Sequence, residues 1–138
     1  MVSAAIAQAS GNAVGSGTLW GAQGLLALFF LAAGYGHAFR SVADLAKMRA
    51  AWAADVPRAR LRFIGAAEMA GAVGLVVPAA TGIVPQLTWM AAAGLALIML
   101  LAIPFHLKRK EPVAMQTVVA LIAGAVAVGR LALVPFAS

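Results

Sequence analysis

Apolar residues fill four long stretches of the chain, and most polar residues lie between them. The stretches cover about Thr18–Phe39, Leu61–Ala80, Leu87–Phe105 and Val113–Phe136. Each has roughly the 20 residues that an α-helix needs to cross the hydrocarbon core of a bilayer. Each is apolar on nearly all sides, as a lipid-embedded helix is. The pattern therefore predicts an all-α protein, a four-helix transmembrane bundle.

The residues before the first span differ from it in composition. Residues 1–17 are small, polar and uncharged, and they lack the basic start of a secretory signal peptide. They are rich in Ala, Gly and Ser, so we expect a disordered N-terminal tail. A single transmembrane domain over residues 18–138 then follows.

The connection between the first two spans is long enough to hold a helix of its own. Leu45, Met48 and Trp52 recur at three- or four-residue steps, which places them on one helical face. Ser41 is a suitable N-cap. We predict an amphipathic interfacial helix over Ser41–Ala54 on the inner leaflet. Its apolar face, with Leu45, Met48 and Trp52, would contact either the membrane surface or a partner protein.

Composition indicates that lipid is the solvent of this chain. Of its 138 residues 64% are hydrophobic and only 10% are charged, against about half and a quarter in soluble domains. The formal net charge of +6 would suggest nucleic acid in a soluble protein. Here the basic residues lie in short connections, as topology signals do, so no nucleic-acid partner is expected. The absence of cysteine excludes disulfides, thiolate metal sites and C-x-x-C redox chemistry.

The basic residues are strongly asymmetric along the chain. Nine of the ten fall at one end of the predicted bundle, and these are Arg40, Lys47, Arg49, Arg58, Arg60, Arg62, Lys108, Arg109 and Lys110. The positive-inside rule places that end in the cytoplasm. Trp20 and Trp89 then fall near the opposite interface, where indole rings are enriched. We therefore predict a multi-pass protein of the cell (inner) membrane with both termini on the non-cytoplasmic side.

Glu68 is an ionisable residue inside an apolar span. Such a side chain costs at least a few kcal/mol unless it is paired, hydrated or neutral, so it must face the bundle interior. At a rise of 1.5 Å per residue, Tyr35, His37, His106 and Gln116 reach the same half of the membrane. These five residues could form one cluster for ligand binding or proton handling. The plainer alternatives are a structural hydrogen bond at Glu68 and helix-end histidines; no ligand spacing predicts a metal site.

Arg130 is the one basic residue near the other end. It lies roughly 20 Å beyond Glu68 along the helix direction, so no direct salt bridge between them is expected. Snorkelling to the outer headgroups is one interpretation. An anion or carbonyl site shared with Gln23 or Gln86 is the other.

Several short motifs carry a family resemblance. They are Phe30-Leu-Ala-Ala-Gly34, Arg62-Phe-Ile-Gly-Ala-Ala-Glu68, Leu75-Val-Val-Pro78, His106 before Lys108-Arg-Lys-Glu-Pro112, and Gly129-Arg130. With them the chain resembles the DoxX-like family of small integral membrane proteins over about Leu25–Phe136. The family often has Lys after the glycine of the first helix, where this chain has His37. A role there that needs a permanent cation is therefore in question.

The resemblance implies a four-helix bundle and an association with membrane redox complexes, since the family name comes from a subunit linked to thiosulfate–quinone oxidoreduction. Our first hypothesis is an accessory or assembly subunit of such a complex, bound to another membrane protein or to a second copy. The alternative is a quinone- or lipid-binding redox component using the Glu68 cluster, with quinone as the possible cofactor. A solute or proton pathway is disfavoured because the polar cluster occupies half of the membrane and no helix is broken in midspan. No catalytic residue is assigned.

Overall fold

Four long helices dominate the computed structural model, which describes residues 1–133 and 135–136. They are α1 Val2–Phe39, α3 Arg58–Thr81, α4 Leu87–Lys108 and α5 Ala114–Val128. A π-helical turn, Gly129–Leu133, continues α5. Each of the four is long and apolar enough to cross a membrane. The end predicted for the fourth span, near Phe136, lies partly outside the described residues.

The long helices form a closed four-helix bundle, as predicted. α1 packs on α3, α3 on α4, α4 on α5, and α5 returns to α1. Successive long helices run in opposite directions, which brings Leu19 of α1 beside Gly129 at the end of α5. Fully buried side chains from all four helices fill the centre, among them Phe30, Leu75, Leu95 and Val126.

The contact between α1 and α3 depends on two glycines. A Cβ on Gly65 would lie 2.5 Å from the carbonyl oxygen of Gly34, and a Cβ on Gly34 would lie 2.6 Å from that of Gly65. Both distances are far below van der Waals contact, so only glycine lets the backbones approach this closely. This pair sets the spacing of the helices that hold the candidate site.

The start of α1 differs from the expected disordered tail. Helix α1 begins at Val2, and residues 2–17 are helical with largely exposed side chains. Alanine, which has the highest helix propensity, is frequent in this segment. With 38 residues, α1 is about 57 Å long at 1.5 Å per residue. Its first turns therefore extend beyond the part that packs in the bundle.

The first connection is not the single helix predicted over Ser41–Ala54. It holds a short helix, α2 Val42–Lys47, and a 3₁₀ helix, Ala51–Asp55. Arg49 between them has a φ of 65°, a left-handed conformation that does not continue an α-helix. Ser41 does cap α2, because its Oγ accepts the N–H of Asp44 at 3.1 Å. We call residues 41–57 the strap.

The strap folds back on the bundle. Leu45 is only 4% exposed and packs with Ala53 and with Leu61 of α3. Its predicted contact with the membrane surface or a partner is therefore wrong for this structure. Met48 is 58% exposed, so of the three residues predicted on that face it alone stays largely on the outside.

Candidate functional site

A histidine–glutamate pair between α1 and α3 forms the centre of the site. Nδ1 of His37 lies 2.6 Å from Oε2 of Glu68. The Glu68 side chain is 2% exposed and that of His37 is 14% exposed. Gly34 and Gly65, three residues before each partner, hold the two backbones close enough for this contact. Glu68 thus faces the interior, as predicted, and has the partner that a buried ionisable group requires.

Trp52 of the strap covers this pair. Its ring stands edge-on to His37, with centroids 5.2 Å apart, and to His106 of α4, with centroids 5.4 Å apart. The Phe105 ring lies 6.0 Å away. Trp52 therefore packs on the bundle and is half-buried. Its contact with a membrane surface or a partner stays a prediction.

His106 belongs to a second pair, which fixes the strap from the other side. Its Nδ1 lies 2.6 Å from Oε2 of Glu111, and Arg109 donates from Nε to Oε1 of Glu111 at 2.9 Å. Arg109 also forms an ion pair with Asp55 at the end of the strap. The hydrogen bonds from His106 and from Arg109 lower the pKa of the Glu111 carboxyl below its ordinary value.

Arg58 is a site residue that sequence reasoning counted only as a topology charge. Its guanidinium donates to the carbonyl oxygens of His37 and Ala38, each at 3.2 Å. These carbonyls lie in the last turn of α1, where no intrahelical donor remains and where a cation is favoured by the helix dipole. Arg58 thus anchors the start of α3 beside His37. Arg58 directly follows Pro57 and begins a helix. This position is the sequence signal that could have indicated its contact with the end of α1.

Two members of the predicted five-residue cluster lie apart from the pair. Tyr35 is 54% exposed and its ring contacts Phe39 at 5.2 Å, so it is not part of the buried set. Gln116 is 6% exposed, and its Oε1 has no hydrogen-bond partner among the described residues. The structure therefore joins His37, Glu68 and His106, with Trp52 between the two imidazoles.

Arg130 lies in the interior at the opposite end of the bundle. It is 2% exposed, so the snorkelling interpretation is wrong. Its Nε donates to Oε1 of Gln23 at 2.7 Å, and Gln23 donates to the carbonyl oxygen of Leu75 at 2.6 Å. The predicted association with Gln23 is present, whereas Gln86 is exposed. Among the described residues no ion pair joins Arg130 to Glu68.

An open groove of about 540 Å³ runs between α1 and the strap. Leu28 and Leu31 line its apolar part, and Tyr35, His37 and Arg40 line its polar part. Because Nδ1 of His37 is engaged by the carboxylate, Nε2 is the ring nitrogen left for a ligand. No cluster of three metal-binding side chains is found in the part of the chain that the structure describes.

Comparison with known proteins adds the family. No curated protein and no solved structure matches this chain. The model of the DoxX-like family matches residues 21–129, well over half of the sequence. That range contains both histidine–glutamate pairs, the strap and the Gly34–Gly65 contact. The chain belongs to the DoxX-like family.

Proposed function

We propose that this membrane protein binds a quinone and serves as the quinone-binding subunit of a redox complex. The observation that carries the proposal is the His37–Glu68 pair at the polar part of a groove whose other part is apolar. Small-molecule sites combine an apolar lining with a few placed polar groups in this way. A quinone head group has carbonyl oxygens that accept hydrogen bonds, and its isoprenoid tail suits the Leu28–Leu31 surface.

The pair suits both redox forms of such a ligand. With one proton on the ring, His37 donates from Nδ1 to Glu68 and offers Nε2 as an acceptor for a quinol O–H. With a second proton, Nε2–H donates to a quinone carbonyl, and the Glu68 carboxylate offsets the charge. The ring therefore carries one of the two protons of quinone reduction while Glu68 keeps its hydrogen bond from Nδ1 in both states. The other proton comes from solvent through the open groove.

Electrons come from a partner in this proposal. The chain has no cysteine to ligate an iron–sulfur cluster or to form a redox disulfide. What it contributes is a place for the head group, a proton at Nε2 and access from the lipid. The alternative of a docking face on the strap loses support, because Leu45 and Trp52 pack against the bundle.

Quinone binding is tested by quenching of Trp52 fluorescence. The chain has three tryptophans, so Trp20→Phe/Trp89→Phe leaves Trp52, which contacts His37, as the reporter. We expect saturable quenching by a short-tailed ubiquinone in detergent. Glu68→Gln should weaken the affinity about tenfold or more, since it removes a charge-assisted hydrogen bond.

Glu111→Gln is the matched control, because Glu111 also accepts from a histidine but lies outside the groove. It should leave the quinone affinity within about twofold of the parent. Circular dichroism and thermal unfolding check that both variants stay folded. Equal affinities for the Glu68→Gln and Glu111→Gln proteins would sink the proposal.

An accessory or assembly role is the second candidate, and the start of α1 favours it. Residues 2–14 are helical and exposed, with Ile6 61% and Val14 70% exposed. These turns lie beyond the part of α1 that packs in the bundle, so a neighbouring protein would stabilise them by covering Ile6 and Val14. We expect Ile6→Lys to release a membrane partner during mild detergent extraction without changing the melting temperature. Quantitative mass spectrometry of the purified protein measures this, and an unchanged set of co-purifying proteins counts against it.

A further inference from the structure

The basic end of the bundle carries more positive charge than its own acids neutralise. Its three carboxylates are already engaged, Asp44 with Lys47, and Asp55 and Glu111 with Arg109. Six exposed cations have no ion pair with any described residue, and these are Arg40, Arg49, Arg60, Arg62, Lys108 and Lys110. Like charges at one end repel one another, so an external anion would stabilise them.

Four of these cations lie at the same level of the bundle, where α3 begins and α4 ends. Helices α3 and α4 are antiparallel neighbours, since Gly71 meets Leu95 and Gly74 meets Ala91. This direction places the start of α3 level with the end of α4. We call the four residues there the basic edge, and they are Arg60, Arg62, Lys108 and Lys110.

The start of α3 has a second, independent need for an anion. Within the described residues its first turn contains no acidic side chain, and its N-cap, Pro57, supplies no side-chain hydrogen bond. Arg58 and Arg60 stand there instead, where the helix dipole disfavours cations. Free backbone N–H groups at a helix N-terminus also bind phosphate.

Apolar side chains next to the basic edge determine which anion reaches it. Phe63 is 74% exposed and Leu107 is 56% exposed. In a membrane-spanning bundle such exposed apolar residues face acyl chains. The basic edge therefore lies where the acyl region ends and headgroups begin.

We propose that the basic edge binds the phosphate headgroup of an anionic phospholipid, with the acyl chains along Phe63 and Leu107. In juxtamembrane clusters each Lys or Arg raises the affinity for anionic lipid by a similar factor, roughly fivefold. The site is separate from the groove at His37, so it stands or falls independently of quinone binding.

The test uses the full chain in nanodiscs and native mass spectrometry. Nanodiscs contain phosphatidylcholine with a small fraction of phosphatidylglycerol, and the phosphatidylglycerol retained on the released protein is counted. We expect selective retention by the parent protein. Arg62→Gln/Lys108→Gln should reduce the apparent affinity about 25-fold, roughly fivefold for each charge removed.

Two controls keep the result interpretable. Lys47→Gln removes a charge at the same end, but one that pairs with Asp44 at 3.8 Å, and it should change retention by less than about twofold. Arg62→Lys/Lys108→Arg preserves both charges and should retain the lipid, which separates charge loss from misfolding.

Three outcomes overturn the proposal. One is equal retention of phosphatidylglycerol and phosphatidylcholine by the parent. Another is a loss with Lys47→Gln as large, per charge, as with the double variant, because the attraction would then be diffuse. The third is displacement of the lipid by millimolar inorganic phosphate, which would make the edge a phosphate site without lipid recognition.

Discussion

Two glutamates of this chain hydrogen bond to histidines in very different surroundings. Glu68 lies within a membrane-spanning helix and is 2% exposed, whereas Glu111 lies in the α4–α5 connection and is 30% exposed. The carboxylate of Glu111 also accepts from Arg109, and its pKa is lowered first by the His106 hydrogen bond and then by that of Arg109. A lowered pKa means that the ionised form stabilises the folded state.

The pH dependence of stability follows from this pKa direction. The contribution of Glu111 is fully present above the pKa of an unfolded glutamate, about 4, and is lost as the pH falls through its lower folded value. We expect Glu111→Gln to lower the melting temperature at pH 6 and to differ less from the parent at pH 3. Thermal unfolding in detergent across this range measures it. Melting curves that stay equally separated at both pH values would contradict the assignment.

Direction around a helix explains which single residues sequence reasoning placed correctly. Depth along the membrane follows from position in the chain, so Tyr35 and His37 were both assigned to the same layer. Residues two positions apart in an α-helix point ~200° away from each other. His37 therefore faces Glu68 while Tyr35 is exposed. The sequence shows no interior direction for α1, which is uncharged and apolar almost throughout.

At the scale of elements, the α1–α3 contact holds the candidate site. Gly34 and Gly65 meet backbone to backbone, and His37 and Glu68 follow each by three residues. Lipid supplies no hydrophobic drive between helices, so close van der Waals packing of small residues has to supply the association. Both the packing of the bundle and the His37–Glu68 contact therefore depend on the close approach of Gly34 and Gly65.

Adding one methyl group at this contact should be costly. We expect Gly65→Ala to destabilise the fold by about 1–3 kcal/mol, because its Cβ would overlap the Gly34 backbone. Gly94→Ala on α4 is the control, since nothing lies within 4 Å of its added Cβ. It should be neutral or gain up to about 1 kcal/mol from helix propensity. Unfolding in detergent compares them, and similar losses in both variants would refute the close contact.

Apolar residues recur every three or four positions in the strap, yet the strap is not the single helix that this spacing predicts. Leu45 and Trp52 do lie on the same side, but they reach it through a break at Arg49 and not through one helix. A continuous amphipathic helix would lie flat on the membrane. The break lets Leu45 pack on Leu61 and lets Trp52 enter between the two histidines.

At the scale of the whole molecule, charge is distributed along the bundle axis. Nine basic residues lie at the end formed by the strap and the α4–α5 connection. Arg130, at the other end, is buried and donates to Gln23. Because loops rich in Lys and Arg stay in the cytoplasm, this asymmetry predicts that the basic end faces the cytoplasm.

The orientation can be measured with fusion reporters. We expect alkaline phosphatase to be active when fused at either terminus, and green fluorescent protein to fluoresce when inserted near Lys110. As a control, moving the phosphatase to the strap should abolish its activity. Fluorescent fusions at both termini would reverse the predicted topology.

The sequence by itself determined the four apolar helices, the charge asymmetry between the two ends of the bundle, the interior position of Glu68 and the family. These properties depend on composition and on position along the chain, which are visible without coordinates. Tertiary structure decided the partners: His37 for Glu68, Glu111 for His106, Gln23 for Arg130, and Trp52 as the cover. Partners depend on the rotation of each helix and on the path of the strap, and uniformly apolar helices encode neither in their own pattern.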